Sequence, residues 1–260
     1  MEDTATVLRT GDAADTAPVS TPWSAPAFGP PPHRWSGVRT ILFPYVVDAD
    51  AAAAIMPPGV ELIDGAGSVA LLSYPGTDFM HPFNECVVLI PARAAGVEGN
   101  YVPYIFVTTD EALIPGREIA GWPKRIADIG WERSGDHVSV SVARFGETIL
   151  ELEGDVSGTM PAELVAGGTE TMNPPSFNYK LVPGPDGRSI EVEEITATQL
   201  QVTPSRVELG SGKLCARPTT WDPGVAALVG ESEGMLVVLE SDNVIPAGEV
   251  LVRIERGAGT

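Results

Sequence analysis

Short apolar runs recur along this chain, and few of them keep a helical period. Residues 137–145, HVSVSVARF, alternate apolar and polar, the pattern of a half-buried strand. Residues 38–47 (VRTILFPYVV), 68–74 (SVALLSY), 85–92 (ECVVLIPA) and 101–109 (YVPYIFVTT) are nearly continuous and rich in β-branched and aromatic side chains. These predict strands covered on both faces. TILELEGDV follows the alternating run across Gly146-Glu147, which predicts a hairpin. A second hairpin is predicted in 178–195, where Pro185-Asp186-Gly187 separates two strand-like stretches. Weaker strand signals cover 199–202, 206–209, 235–239 and 250–254, and 124–129 also reads as strand-like.

Helices are predicted to be short. Asp48 is placed to cap a helix over 49–56, which Pro57 and Pro58 stop. Residues 110–113 and 223–229 predict two more. Gly210 to Leu214 and Ser241-Asp242-Asn243 read as turns. Residues 1–21 lack periodicity and read as a flexible N-terminal arm. Residues 22–32, with five prolines, read as extended chain over the core. With 28 glycines, 24 prolines and no βαβ rhythm, residues 22–260 predict one mostly β (α+β) domain, an antiparallel sheet or barrel with a few short helices.

Composition narrows the partners. Sixteen Lys and Arg face 35 Asp and Glu, a formal charge of −19. Such a surface repels phosphate backbones and anionic lipid, so neither nucleic acid nor membrane is an expected partner. The N-terminus has no basic and apolar leader pattern, and no apolar run reaches the length of a membrane helix, so a cytoplasmic location is expected. Cys86 and Cys215 are too few for a disulfide framework and read as buried thiols. His33, His81 and His137 form no metal-binding pattern; no metal and no cofactor is expected. Gly210-Ser211-Gly212-Lys213-Leu214 lacks the earlier glycine and the Ser or Thr of a phosphate loop.

The segment that carries chemistry is residues 116–125, GREIAGWPKR. Pro123 holds Trp122 extended and fixes the backbone ahead of Lys124. A lysine aimed from a rigid element into an apolar pocket can serve as a nucleophile, because burial disfavours the ammonium.

GREIAGWPKR resembles the lysine motif of the acetoacetate decarboxylase family, Gly-Arg-Glu followed by an aromatic-Pro-Lys-Lys element at the same spacing, with Arg125 where the family usually has the second lysine. Further pieces follow in order: STPWSAPAF (20–28), Arg39, Phe83-Asn84-Glu85, Asn178 to Leu181, Gly210 to Leu214, and Ile245 to Val250. Glu85 lies 39 residues before Lys124, which needs no gap against the family pattern. The resemblance implies a cone-like antiparallel β-barrel, a homo-oligomer, and a small keto-acid substrate. It implies Lys124 as the Schiff-base amine, Glu85 as an acid/base, and Arg39 as the anchor for a substrate carboxylate. Trp122 and Phe83 would line the substrate site. Arg125 and Glu118 would support it, Arg125 as a cation beside the lysine and Glu118 through a pair with Arg117 or Arg125.

One departure from the family pattern stands out. Counting back from Glu85, Ala70 occupies the position of a second active-site glutamate, with Glu61 and Asp78 as conceivable replacements. Three functions follow: a lysine Schiff-base lyase that decarboxylates a β-keto acid, an aldolase–dehydratase that condenses pyruvate or a related keto acid with an aldehyde, or a non-catalytic barrel that binds a small molecule.

Overall fold

A computed structural model describes residues 19–77, 79–166 and 174–256. The first half contains strand β1 (His33–Val46), helix α1 (Ala49–Ala53), β2 (Val60–Leu62), β3 (Ala66–Tyr74), β4 (Phe83–Ala94) and β5 (Val97–Val107). Helix α2 (Asp110–Pro115) then runs into a π-helical turn (Gly116–Ala120). Next come β6 (Lys124–Ile126), β7 (Asp128–Ser134), β8 (His137–Arg144), β9 (Glu147–Thr159) and α3 (Ala162–Ala166). The chain ends with β10 (Ser176–Pro183), β11 (Ile190–Thr198), β12 (Gln201–Ala216), α4 (Pro223–Val229), β13 (Glu231–Ile245) and β14 (Glu249–Arg253).

All the strands of the described residues join one sheet in the order β14-β11-β10-β5-β4-β3-β1-β13-β12-β9-β8-β7, with β2 on β4 and β6 on β5. Pairing is antiparallel except for β10 with β5 and β5 with β6. The expected mostly β, antiparallel architecture is therefore present. The hydrogen-bonded path has two ends, β14 and β7, rather than closing. The sheet nonetheless curls: Asn84 on β4 donates to the Ile129 carbonyl on β7 at 3.0 Å.

Alternation divides the central strands into two faces. Ile41, Phe43, Leu71, Cys86 and Val88 point into the main core and are fully or almost fully buried. The opposite face of the same strands carries Thr40, Leu42, Ala70, Leu72, Glu85 and Val87, and lines a cavity.

Local signals account for the helices. The Asp48 carboxylate accepts from Ala51 N at 2.8 Å, the predicted cap, although α1 stops at Ala53. The helix over 223–229 has its predicted bounds. Two predicted turns are corrected. Gly210 to Leu214 lies inside the sixteen-residue strand β12, and Ser241 to Asn243 lies inside β13. The glycines serve close strand packing there: a Cβ on Gly210 would stand 2.2 Å from the Asp155 carbonyl oxygen, and one on Gly212 would stand 2.5 Å from that of Glu153. Pro204 is tolerated because β12 shifts register against β13 between Pro204 and Arg206. Cys86 is buried, as expected, but Cys215 is half-buried; both are free thiols. The expected arm falls mostly on residues 1–18, outside those described. No helix among the described residues is long and apolar enough to cross a membrane.

Candidate active site

Lys124 opens β6, parallel to β5 and opposite Ile105. Its approach is built by GREIAGWPK. Trp122 N donates to the Gly116 carbonyl at 2.9 Å, and Arg117 donates to the Lys124 carbonyl at 3.2 Å. The lysine stem runs directly over Gly116, where a Cβ would lie 2.6 Å from Lys124 Cδ. Gly121 ends the π-turn with φ +73°, and a Cβ there would meet Lys180 at 2.5 Å. Both glycines are therefore steric requirements of the lysine's path. The turn is tied to the sheet by Lys180, which donates to the Ile119 carbonyl at 3.1 Å, and by Thr196, which donates to that of Ala120 at 2.5 Å.

The Lys124 ammonium reaches Glu85 Oε2 at 2.7 Å, and both side chains are buried, 5% and 9% exposed. Nζ also lies 4.9 Å from the Trp122 ring centroid. Phe83 stacks on Tyr74, with centroids 4.5 Å apart. Four of the expected site residues, Lys124, Glu85, Trp122 and Phe83, thus meet around one small hollow of about 50 Å³.

Sequence reasoning missed several residues here. Tyr74 lines the hollow, and burial together with the charge of Glu85 holds its phenol well above the ordinary range, so the hydroxyl keeps its proton. His33, Trp35 and Thr198 also line it. Each carries a buried polar atom without a partner among the described residues: Nε2, Nε1 and Oγ1 respectively. Burial lowers the His33 pKa and favours the neutral ring. No sequence pattern marked these residues, because they converge from β1, β3 and β11.

Two expected neighbours are elsewhere. Arg39 is corrected: it is exposed on the other face of β1, with its guanidinium 5.8 Å from the Trp131 ring centroid and a 3.4 Å contact to Ser73 Oγ. Thr40 and Leu42 take the cavity side of that strand, and the nearest buried position before them is Val38, packed with Trp35, Tyr74 and Phe83. Arg125 is corrected as well. Successive residues of a strand face opposite ways, and Arg125 pairs with buried Asp222, which also holds Arg144 at 3.3 Å. Glu118 is exposed and forms no salt bridge among the described residues, since Arg117 and Arg125 are engaged elsewhere.

A larger cavity of about 410 Å³ adjoins the hollow; Tyr74, Glu85, Trp122 and Ile245 line both. Its walls rise in rungs across β4, β3, β1 and β13. Glu85, Leu72, Thr40 and Leu239 form the innermost rung, and Val87, Ala70, Leu42 and Val237 the next. Ala70 therefore does face the cavity, and Glu85 is the one carboxylate among the described lining residues. Glu61 does not replace the missing acid; it is exposed and 4.0 Å from Arg93. Asp78 lies outside the described residues. No cluster able to hold a metal ion occurs among the described residues.

The family model of acetoacetate decarboxylase (ADC) matches residues 16–252. The chain belongs to the acetoacetate decarboxylase family. Curated decarboxylases of this family from Clostridium beijerinckii and Bradyrhizobium diazoefficiens are similar. The first is 26% identical over 196 residues (75% of this chain, 79% of the relative), and the second, acetoacetate decarboxylase 1, is 27% identical over 172 residues (65% and 66%). Among solved structures, the Legionella pneumophila acetoacetate decarboxylase superposes with a TM-score of 0.81 at 22% identity, over 96% of this chain and 98% of its own. The enduracididine biosynthesis enzyme MppR, complexed with the condensation product of pyruvate and imidazole 4-carboxaldehyde, superposes with a TM-score of 0.75 at 20% identity, over 90% and 96%. The fold is thus shared by an acetoacetate decarboxylase and by an enzyme of enduracididine biosynthesis.

Proposed function

We propose that this family member is a lysine Schiff-base carbon–carbon lyase acting on a keto acid, with decarboxylation of a β-keto acid as its reaction. The observation that carries this reading is the buried Lys124 Nζ–Glu85 Oε2 contact of 2.7 Å at the wall of a hollow. Transfer of the ammonium proton to Glu85 frees the amine lone pair. The amine attacks the keto carbon, and loss of water gives an iminium. The bond between the α-carbon and the carboxylate carbon then breaks. Its electron pair flows into the iminium, releasing CO₂ and leaving an enamine. Protonation of the enamine carbon, with Glu85 as the donor, and hydrolysis return the ketone and the free lysine. Weak solvation beside the apolar walls favours conversion of a charged carboxylate into neutral CO₂. Trp122 and Phe83 confine the substrate, and the Tyr74 hydroxyl is a neutral donor beside it.

Reduction with borohydride in the presence of a keto acid tests the reading. The expected result is a stable adduct on the peptide containing Lys124; an unmodified Lys124 would reject it. A second reading is supported by Ala70, which removes an acid from the cavity wall. On that reading the same enamine attacks an aldehyde and water is then lost. Pyruvate plus an aldehyde would yield an unsaturated, ultraviolet-absorbing product, and β-keto acids would release no CO₂. The family likeness also supports a homo-oligomer, measurable by light scattering.

A further inference from the structure

The cavity next to the Lys124–Glu85 pair opens outward as a funnel. Exposure rises rung by rung. Leu72, Thr40 and Leu239 beside Glu85 are buried, Leu42 and Val237 one rung out are half-buried, and Pro44 and Met235 at the rim are exposed. The walls are almost wholly apolar, and no Lys or Arg occurs among the described lining residues. A short keto acid such as acetoacetate would leave most of the 410 Å³ unfilled. Where a carboxylate could project into the middle of the funnel, the chain has Ala70.

We infer that the funnel holds a hydrocarbon tail, so that this site takes 3-oxo acids of medium chain length in preference to acetoacetate. The inference rests on the reading of Lys124 as the Schiff-base amine. Depth sets the length. From Glu85 to Leu89, the outermost β4 residue on the wall, is four residues, roughly 13 Å along a strand. With carbon–carbon bonds of about 1.5 Å, which advance a zigzag by less than their length, a tail of up to about ten carbons fits within that depth. The head group then lies in the 50 Å³ hollow, where polar atoms of His33, Trp35 and Thr198 have no partner among the described residues. Overall, R–CO–CH₂–CO₂⁻ and one proton give R–CO–CH₃ and CO₂. Only R differs from the short-chain reaction, and R lies on the rungs of Ala70, Val87, Leu42 and Val237.

The product ketones provide the test. Calorimetric titration of the intact protein with 2-nonanone and with acetone measures tail preference, and borohydride reduction with each, followed by mass spectrometry, measures the lysine reaction separately. The longer ketone is expected to bind at least about 100-fold more tightly, since each buried methylene contributes about fourfold. V237W, which fills the second rung, should cut that ratio at least about tenfold, with L42F as a smaller second block should V237W unfold. A ratio near one, with Lys124 adducts to both ketones, overturns the tail assignment and leaves the Schiff base standing. Tail preference without any adduct on Lys124 rejects the Schiff base and leaves the tail site standing. Absence of both binding and adducts rejects the two together.

Discussion

The two faces of the central strands offer a direct contrast. On one, Ile41, Phe43, Leu71, Cys86 and Val88 interdigitate with the residues of β8, β9 and α4 and leave almost nothing exposed. On the other, the neighbours of those same residues, Thr40, Leu42, Ala70 and Val87, surround a 410 Å³ hollow. The backbone registers are common to both faces, so only side-chain size and what lies opposite distinguish them. The packed face supplies the rigidity that lets the other face remain open, with a buried lysine and glutamate at its inner end. A hollow gives up dispersion contacts that a close-packed interior would make, and a ligand can restore them.

The largest expected effect concerns the open face. Lys124→Ala should lower turnover of the best substrate by at least about 10⁴-fold and abolish the borohydride adduct, because no other described amine reaches the hollow. Steady-state kinetics with mass spectrometry checks both. A smaller effect sharpens the packing contrast. Phe43→Ala on the closed face should cost about 3–5 kcal/mol in urea unfolding. Leu42→Ala, one residue away but already facing the hollow, should cost clearly less; equal losses would contradict the two-face description.

The smallest effect is a pH dependence on the closed side of the sheet. Hydrogen bonds from Arg133, at 2.7 and 3.1 Å, hold the Glu208 carboxyl below its ordinary range, helped by Arg206. A lowered folded-state pKa stabilises the fold above the unfolded-state value, and that stability is lost as pH falls through the folded value. Glu208→Gln should therefore destabilise the protein at pH 7, and the gap from wild type should narrow in acid. Urea titrations at the two pH values measure it.

What could be read beforehand depended on how local the information was. The 137–145 strand announced itself by alternation, and the Asp48 cap by residue type. Lys124, Glu85, Trp122 and Phe83 could be grouped because their order and spacing resemble a family pattern. Arg39 could not be placed. Strands buried on both faces do not alternate polar and apolar residues, so 38–47 carries no parity signal, and β1 shifts register between Trp35 and Val38. Glycines in 210–214 suggested a turn, because only the neighbouring strand β9 shows why a side chain is forbidden there.

By itself the sequence determined the strand-rich class, the short capped helices, the absence of an acid at position 70, and a lysine delivered by a Gly-, Trp- and Pro-shaped segment. These follow from backbone preferences and neighbours a few residues away. The tertiary structure alone decided that Glu85 lies 2.7 Å from that lysine, that Arg39 and Arg125 turn away from it, and that Tyr74, His33, Trp35 and Thr198 surround it. Those facts depend on strand register and on which face each residue takes, and register is set by pairings between segments distant in the chain.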